Sequence, residues 1–233
     1  MRHLNAWIDA ARPKTLPLAL SSTTLGSLLA AADHTFNWSV LILAGTNGVA
    51  TSSTICYFLM GIAAIVAAVK YTVGNNPYGC RGLGDVSVFI FFGLMGTIGT
   101  YYLHTQRMKF DLILPATSIG LLSTGVLNLN NLRDEQSDRQ AKKRTFVIII
   151  GSSRAKIYHV MLLVTAAITG LAYTILNFRS KFQFLFLLSL PLLQNVKTVF
   201  RHTRPAELNT ELKNLSLSTL LFAVTFGAGL LIR

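Results

Sequence analysis

Charge is scarce in this sequence. Only 13% of its 233 residues are charged, roughly half of what an ordinary soluble domain carries. Acid is scarcer still, with nine Asp and Glu against 21 Lys and Arg and a net charge of +12. The two cysteines, Cys56 and Cys80, match no metal-ligand spacing and need not pair. The positive charge forms no basic stripe with interleaved aromatics, so nucleic acid is excluded as a partner. His104, His159 and His202 stand alone in the sequence and suggest no metal site.

What is abundant is apolar surface. Apolar residues make up 52% of the chain and the mean hydropathy is +0.50. Seven runs, at 16–32, 53–70, 86–103, 112–129, 157–177, 181–199 and 215–232, are long enough to cross the ~30 Å hydrocarbon core. A soluble bundle needs a polar outer face on each helix, whereas these runs are apolar all round. The expected fold is therefore all-α, a polytopic membrane helical bundle with seven full spans, built as a single domain over 1–233.

The basic residues lie between the spans. The connections 1–14, 70–85, 131–156 and 197–214 hold 16 of the 21 Lys and Arg; the opposite set, 33–37, 104–111, 178–181 and the C-terminus, holds five. The positive-inside rule makes the first set cytoplasmic. Arg2, Arg12 and Lys14 precede the first span and no small-residue cleavage site follows it, so an uncleaved first helix is expected. The stretch 38–44 is apolar but too short to span. If it did cross, loop 70–85 would face away from loop 131–156, against the charge count. Either 38–46 does not cross, or a helix that should accompany it is absent near 45–51.

Loop 128–145 carries the clearest chemistry. Asn130, Asp134 and Asp138 are spaced i, i+4, i+8, so a helix puts all three on one face. Two carboxylates in register suit magnesium, Mg²⁺, which takes one or two carboxylates plus substrate phosphates. Arg139, Lys142, Lys143 and Arg144 follow at once and can neutralise phosphate oxygens. Asp134, Glu135 and Asp138 are a third of all the acids in the chain, an unusual concentration for a merely solvated loop. Arg133, Glu135 and Arg139 read as ordinary solvent-facing charges. Loop 71–85, with four glycines, Pro77, Tyr71, Arg81 and Asp85, reads as a second wall of the same site. Arg12 and Lys14 sit at the entrance of the first span, where topology alone explains them. Phe89, Phe91, Phe92, Phe222 and Phe226 read as lipid-facing or packing groups, of which one or two have the chemistry to line a channel.

Three stretches together, Ala-Arg-Pro-Lys-Thr-Leu-Pro (11–17), Tyr-Thr-Val-Gly-Asn-Asn-Pro-Tyr-Gly-Cys-Arg-Gly-Leu-Gly-Asp (71–85) and Asn-Asn-Leu-Arg-Asp…Asp…Lys-Arg-Thr (130–145), resemble the UbiA superfamily of intramembrane prenyltransferases, in its naphthoate branch. The resemblance implies nine helices around a cavity in the bacterial cytoplasmic (inner) membrane, with two Asp-rich motifs binding a polyprenyl diphosphate through Mg²⁺ on the cytoplasmic side. It implies Asn130, Asp134 and Asp138 as metal and diphosphate residues, Lys142 or Arg144 at phosphate, and loop 71–85 as a cap. Substrate contacts are thereby expected at Asn130, Tyr71, Arg81, Asp85, Arg12 and Lys14. The implied partners are polyprenyl diphosphate, 1,4-dihydroxy-2-naphthoate and membrane lipid. The implied reaction is prenyl transfer with loss of CO₂ in menaquinone synthesis.

The sequence departs from that pattern at one place. The family's first motif, Asn-Asp-x-x-x-Asp, should follow 38–44, yet no acidic residue lies between Asp33 and Asp85. Either a segment near 45–51 is absent from this sequence, or the protein lacks half of the site and is a non-catalytic relic. Another aromatic acceptor is also compatible with the residues. A transporter or channel fits poorly, because the spans at 53–70, 86–103 and 112–129 hold no ionisable residue before Lys70.

Overall fold

The computed structural model describes residues 16–36, 81–190, 192–201 and 205–232, and all of its regular elements are helical. Helix α1 covers Leu16–Ala32. A membrane-length rod runs over Gly84–Thr105 as α2 (Gly84–Val88), a π-helical segment (Phe89–Met95) and α3 (Gly96–Thr105). It stops where Gln106 turns left-handed at φ 54° and donates its N–H to the Tyr102 carbonyl. Helix α4 (Ile113–Arg133) follows, then the short α5 (Glu135–Gln140) and α6 (Phe146–Ile150). The long α7 (Ser152–Leu176), α8 (Leu192–Arg201) and α9 (Leu208–Leu231) complete the chain. Among the described residues five stretches are long and apolar enough to cross a membrane: Gly84–Thr105, Phe110–Arg133, Ser152–Leu176, Lys181–Arg201 and Pro205–Leu231. They match five of the expected spans, and α1 matches a sixth. The seventh, 53–70, and the puzzling stretch 38–46 lie outside the described residues.

One span differs from expectation in form. Instead of a continuous helix over 181–199, the chain makes a 3₁₀ helix at Lys181–Ser189, then breaks at Leu190, then resumes as α8. Leu190 is extended, φ −92° and ψ 96°, as a residue preceding proline must be to clear the ring.

Helix α4 is the most buried of the long helices and packs against α7, α9 and the π segment. Its approach to the π segment needs two glycines. A Cβ on Gly93 would stand 2.5 Å from the Gly120 Cα, so only bare backbone fits there. At the other face, Phe186, Phe222 and Phe226 are fully buried, with ring centroids 5.2–5.5 Å apart, and Tyr173 joins them at 5.6 Å. Phe222 and Phe226 are thus core packing groups, one of the two roles expected of them. The outward face carries Ile157, Met161, Val164, Ile168 and Leu221, all exposed as lipid-facing residues are.

Among the described residues the two sets of connections separate to opposite ends. At one end Lys109 and Tyr101 both bind the Asp33 carboxylate, at 2.5 and 2.7 Å, and Ser180 Oγ donates to the Ile232 carbonyl. Burial alone would raise the Asp33 carboxyl, but these two bonds and the Lys109 charge outweigh it and hold it below its ordinary value. At the other end Arg133 donates to Asn209, Lys156 reaches the Phe200 carbonyl, and Gly82 packs on Ile149. Gly82 has φ +79°, and a side chain there would strike Ile149. That second end carries the acid-rich loop.

Candidate active site: an aspartate turn paired with cations

Helix α4 ends at Arg133 and Asp134 is the hinge residue before α5, with φ −94° and ψ 6°. The backbone nevertheless keeps helical register across it. The Asp134 N–H donates to Asn130 O at 3.0 Å and the Asp138 N–H to Asp134 O at 2.9 Å. Asn130, Asp134 and Asp138 therefore occupy successive turns of one edge.

Each carboxylate is matched by a cation. Arg133 binds Asp134 bidentately, Nε to Oδ1 and Nη2 to Oδ2, both at 2.7 Å. The same guanidinium donates to Asn130 Oδ1 at 2.7 Å and to Asn209 Oδ1 at 3.1 Å. Its side chain is only 21% exposed, so the expectation of a solvent-facing Arg133 is wrong. The planar fork fits a carboxylate and an amide oxygen together, and the i+3 position sets it over Asn130. Asp138 is buried and accepts from Lys143 Nζ at 2.8 Å. Glu135 is also engaged, by Arg139 at 2.8 Å and by the Ser152 hydroxyl. Burial raises its carboxyl, but the Ser152 and Arg139 bonds overcome that and hold it below the usual range. Arg139 itself is exposed, as expected.

Lys142 and Arg144 are exposed on the turn after α5. Lys142 adopts φ 55°, which directs the chain back so that the Lys143 N–H reaches Asp138 O. Arg81 is exposed, whereas Asp85 is buried, 6% accessible, where α2 meets α4. Arg12, Lys14 and Tyr71 lie outside the described residues. The structure thus brings Asn130, Asp134 and Asp138 onto one edge with Arg133 and Lys143, and sets Asp85 further along α4.

The donor set fits Mg²⁺ in one particular way. Among the described residues no three acidic, His or Cys side chains converge, so a metal held by protein alone is not supported. Two carboxylates and an amide oxygen are hard donors, and they suit a cation that keeps water and phosphate oxygens as its other ligands.

A second polar chain was not visible in the sequence. His159 Nε2 and Asn195 Oδ1 are 2.8 Å apart, and Asn195 Nδ2 donates to Glu211 Oε2 at 2.8 Å. It ties α7, α8 and α9 together, and no local spacing announces it.

Five stretches of membrane-crossing length and apolarity, the most buried of them ending in a cation-paired aspartate turn, define the described residues as a polytopic helical membrane bundle. The chain matches the UbiA prenyltransferase family model over residues 39–218, and it belongs to that family. It is 45% identical over 174 residues to a 1,4-dihydroxy-2-naphthoate octaprenyltransferase of Haemophilus influenzae, covering 74% of this chain and 56% of that protein. The protein of the same name in Escherichia coli is 31% identical over 291 positions, covering 97% of this chain and 94% of the relative. A more distant relative, the UbiA prenyltransferase domain-containing protein 1 of Gallus gallus, is 28% identical over 52% of this chain and 36% of its own length. The chain spans just over half the length of the Haemophilus relative.

Proposed function

We propose that this protein transfers a polyprenyl group from polyprenyl diphosphate to 1,4-dihydroxy-2-naphthoate with loss of CO₂, giving the hydroquinone form of demethylmenaquinone. The observation that carries the reading is the Asn130–Asp134–Asp138 edge with its cations, at the end of a buried membrane-length helix. The names of the bacterial relatives support the same acceptor.

The diphosphate sits at that edge and the polyprenyl tail lies in the bilayer, which such a tail does not leave. Asn130, Asp134 and Asp138 would hold Mg²⁺, which would supply charge withdrawal from the diphosphate leaving group. Arg133 holds Asp134 and Asn130 in one orientation, so they need no rearrangement when substrate arrives. Lys142 and Arg144, exposed on the adjoining turn, meet phosphate oxygens as the allylic C–O bond ionises. The apolar bundle keeps water from the cation while the naphthoate ring attacks. The excess of basic residues in the connections at this end supports a cytoplasmic orientation for it.

The reading requires a second Asp-rich motif, and we place it in a segment absent near 45–51. The alignment with the E. coli relative is longer than this chain, so that relative carries residues with no counterpart here, which supports a missing segment. The rival, a non-catalytic relic, is favoured by the lack of any acid between Asp33 and Asp85. The test is prenyl transfer by the complete protein, with labelled polyprenyl diphosphate, 1,4-dihydroxy-2-naphthoate and Mg²⁺. Product formation supports the enzyme, and its absence supports the relic.

A further inference from the structure

Helix α9 has two edges beside its packed face. Asn209, which accepts from Arg133, lies on one of them. Glu211 and Ser218 follow it by two and nine residues, which puts them about 200° and 180° around the helix at ~100° per residue. They face the opposite way, into a cleft of about 250 Å³ between α8 and α9, lined by Gln194, Asn195, Glu211, Asn214, Leu217 and Ser218. This cleft is therefore separate from the diphosphate edge. Among the described residues its lining holds a carboxylate and no cation, which makes it a poor host for a diphosphate.

The carboxylate is the unusual member. Glu211 is only 6% accessible, and its one bond comes from Asn195 Nδ2 to Oε2 at 2.8 Å. His159 Nε2 holds the oxygen of the same amide, so Asn195 is fixed with its N–H groups toward Glu211. That partner is neutral. Among the described residues no cation forms an ion pair with Glu211, whereas carboxylates buried to this degree are as a rule paired with a positive charge. Glu211 Oε1 takes no bond from the protein and is left to the cleft. The side-chain oxygens of Gln194, Asn214 and Ser218 are free as well and add neutral acceptors around it. The complement of this lining is a small cation with several N–H donors.

Depth in the bilayer narrows the choice. About 20 residues cross the hydrocarbon core, and counting that many back from Leu231 at the end of α9 reaches Leu212. Glu211 and Asn214 thus stand at the headgroup boundary, with Ser218 just inside it. From Leu217 an apolar stripe continues through Leu221 and Val224, at i+4 and i+7 and all exposed, toward the bilayer centre. On α8, Lys197 and Arg201 follow Gln194 by one and two turns toward the membrane surface. Both are exposed and enter no ion pair among the described residues, so their charge is available to a phosphate. We propose that this cleft binds the headgroup of an ethanolamine phospholipid. Its ammonium bonds to Glu211 Oε1 and the neighbouring oxygens, its phosphate faces Lys197 and Arg201, and one acyl chain follows Leu217, Leu221 and Val224. The site goes beyond prenyl transfer and does not depend on it.

The experiment titrates the complete protein in detergent with dioleoyl phosphatidylethanolamine, phosphatidylcholine or phosphatidylglycerol and counts bound lipid by native mass spectrometry. Phosphatidylcholine keeps the chains and the net charge but has no N–H group. Phosphatidylglycerol has hydroxyl donors but no cation. Phosphatidylethanolamine is expected to bind about 10- to 100-fold more tightly than either. Glu211→Gln keeps an oxygen for Asn195 and removes the charge. It should abolish the preference while leaving the thermal midpoint in lipid-free detergent unchanged. Equal binding of phosphatidylethanolamine and phosphatidylcholine by the wild-type protein overturns the proposal, even if Glu211→Gln does not fold. Tighter binding of phosphatidylglycerol overturns it too, as does a Glu211→Gln protein that keeps the preference.

Discussion

Arg133 holds Asp134 with two parallel bonds of 2.7 Å and reaches Asn130 with the same guanidinium. One side chain therefore sets the orientation of two of the three residues proposed to handle the diphosphate. A lysine keeps the charge but loses the fork. Arg133→Lys should fold normally and lose about 10- to 100-fold in kcat/KM, the usual cost of unmaking charge-assisted bonds. Steady-state kinetics against polyprenyl diphosphate concentration checks this, and wild-type kinetics would remove Arg133 from the site.

Lys143 and Asp138 form the second pair, 2.8 Å apart with Asp138 buried. Removing the cation leaves a buried carboxylate without its partner. Lys143→Ala should lower the thermal midpoint and weaken Mg²⁺-dependent turnover, whereas Lys142→Ala, on an exposed neighbour, should affect turnover without affecting the midpoint. Thermal unfolding and turnover measured on both variants separate the two roles.

At the opposite end Asp33 is held below its ordinary value of 3.8 once the Lys109 and Tyr101 bonds have outweighed burial. A depressed folded-state value means the unfolded chain binds the proton more readily. The stability from this cluster is therefore fully present above about pH 4 and is lost as pH falls through the folded-state value. Thermal midpoints measured from pH 7 to pH 3 should fall more steeply for the wild type than for Asp33→Asn, and the variant should be the less stable at pH 7.

Gly93 and Gly120 meet as bare backbone. Gly93→Ala forces backbone apart and should cost about 1–3 kcal/mol. Gly99→Ala, with nothing within 4 Å of the new Cβ, should be neutral or stabilising by up to about 1 kcal/mol. Unfolding of the two variants in the same detergent gives the comparison.

Sequence reading captured what depends on short spacing and on hydropathy. Six of the seven apolar runs and the alignment of Asn130, Asp134 and Asp138 along one edge follow from periods of one helical turn or one membrane width. What it missed depends on contacts across the fold. Arg133 looked like a solvent-facing charge because its partner Asn209 is 76 residues away; only its i+3 relation to Asn130 hinted at a role. His159 looked isolated because Asn195 and Glu211 come from two other helices. The break at Leu190 was readable from Pro191, yet hydropathy smooths over one proline in an apolar run.

The proposed role of the Asp134–Asp138 edge in prenyl transfer is tested most directly by assaying the complete protein with labelled polyprenyl diphosphate, 1,4-dihydroxy-2-naphthoate and Mg²⁺ beside Asp134→Ala and Asp138→Ala. A prenylated naphthoate product from the wild type, and none from either variant at equal expression, is the predicted result. No product from the wild type, or equal product from all three, would contradict it.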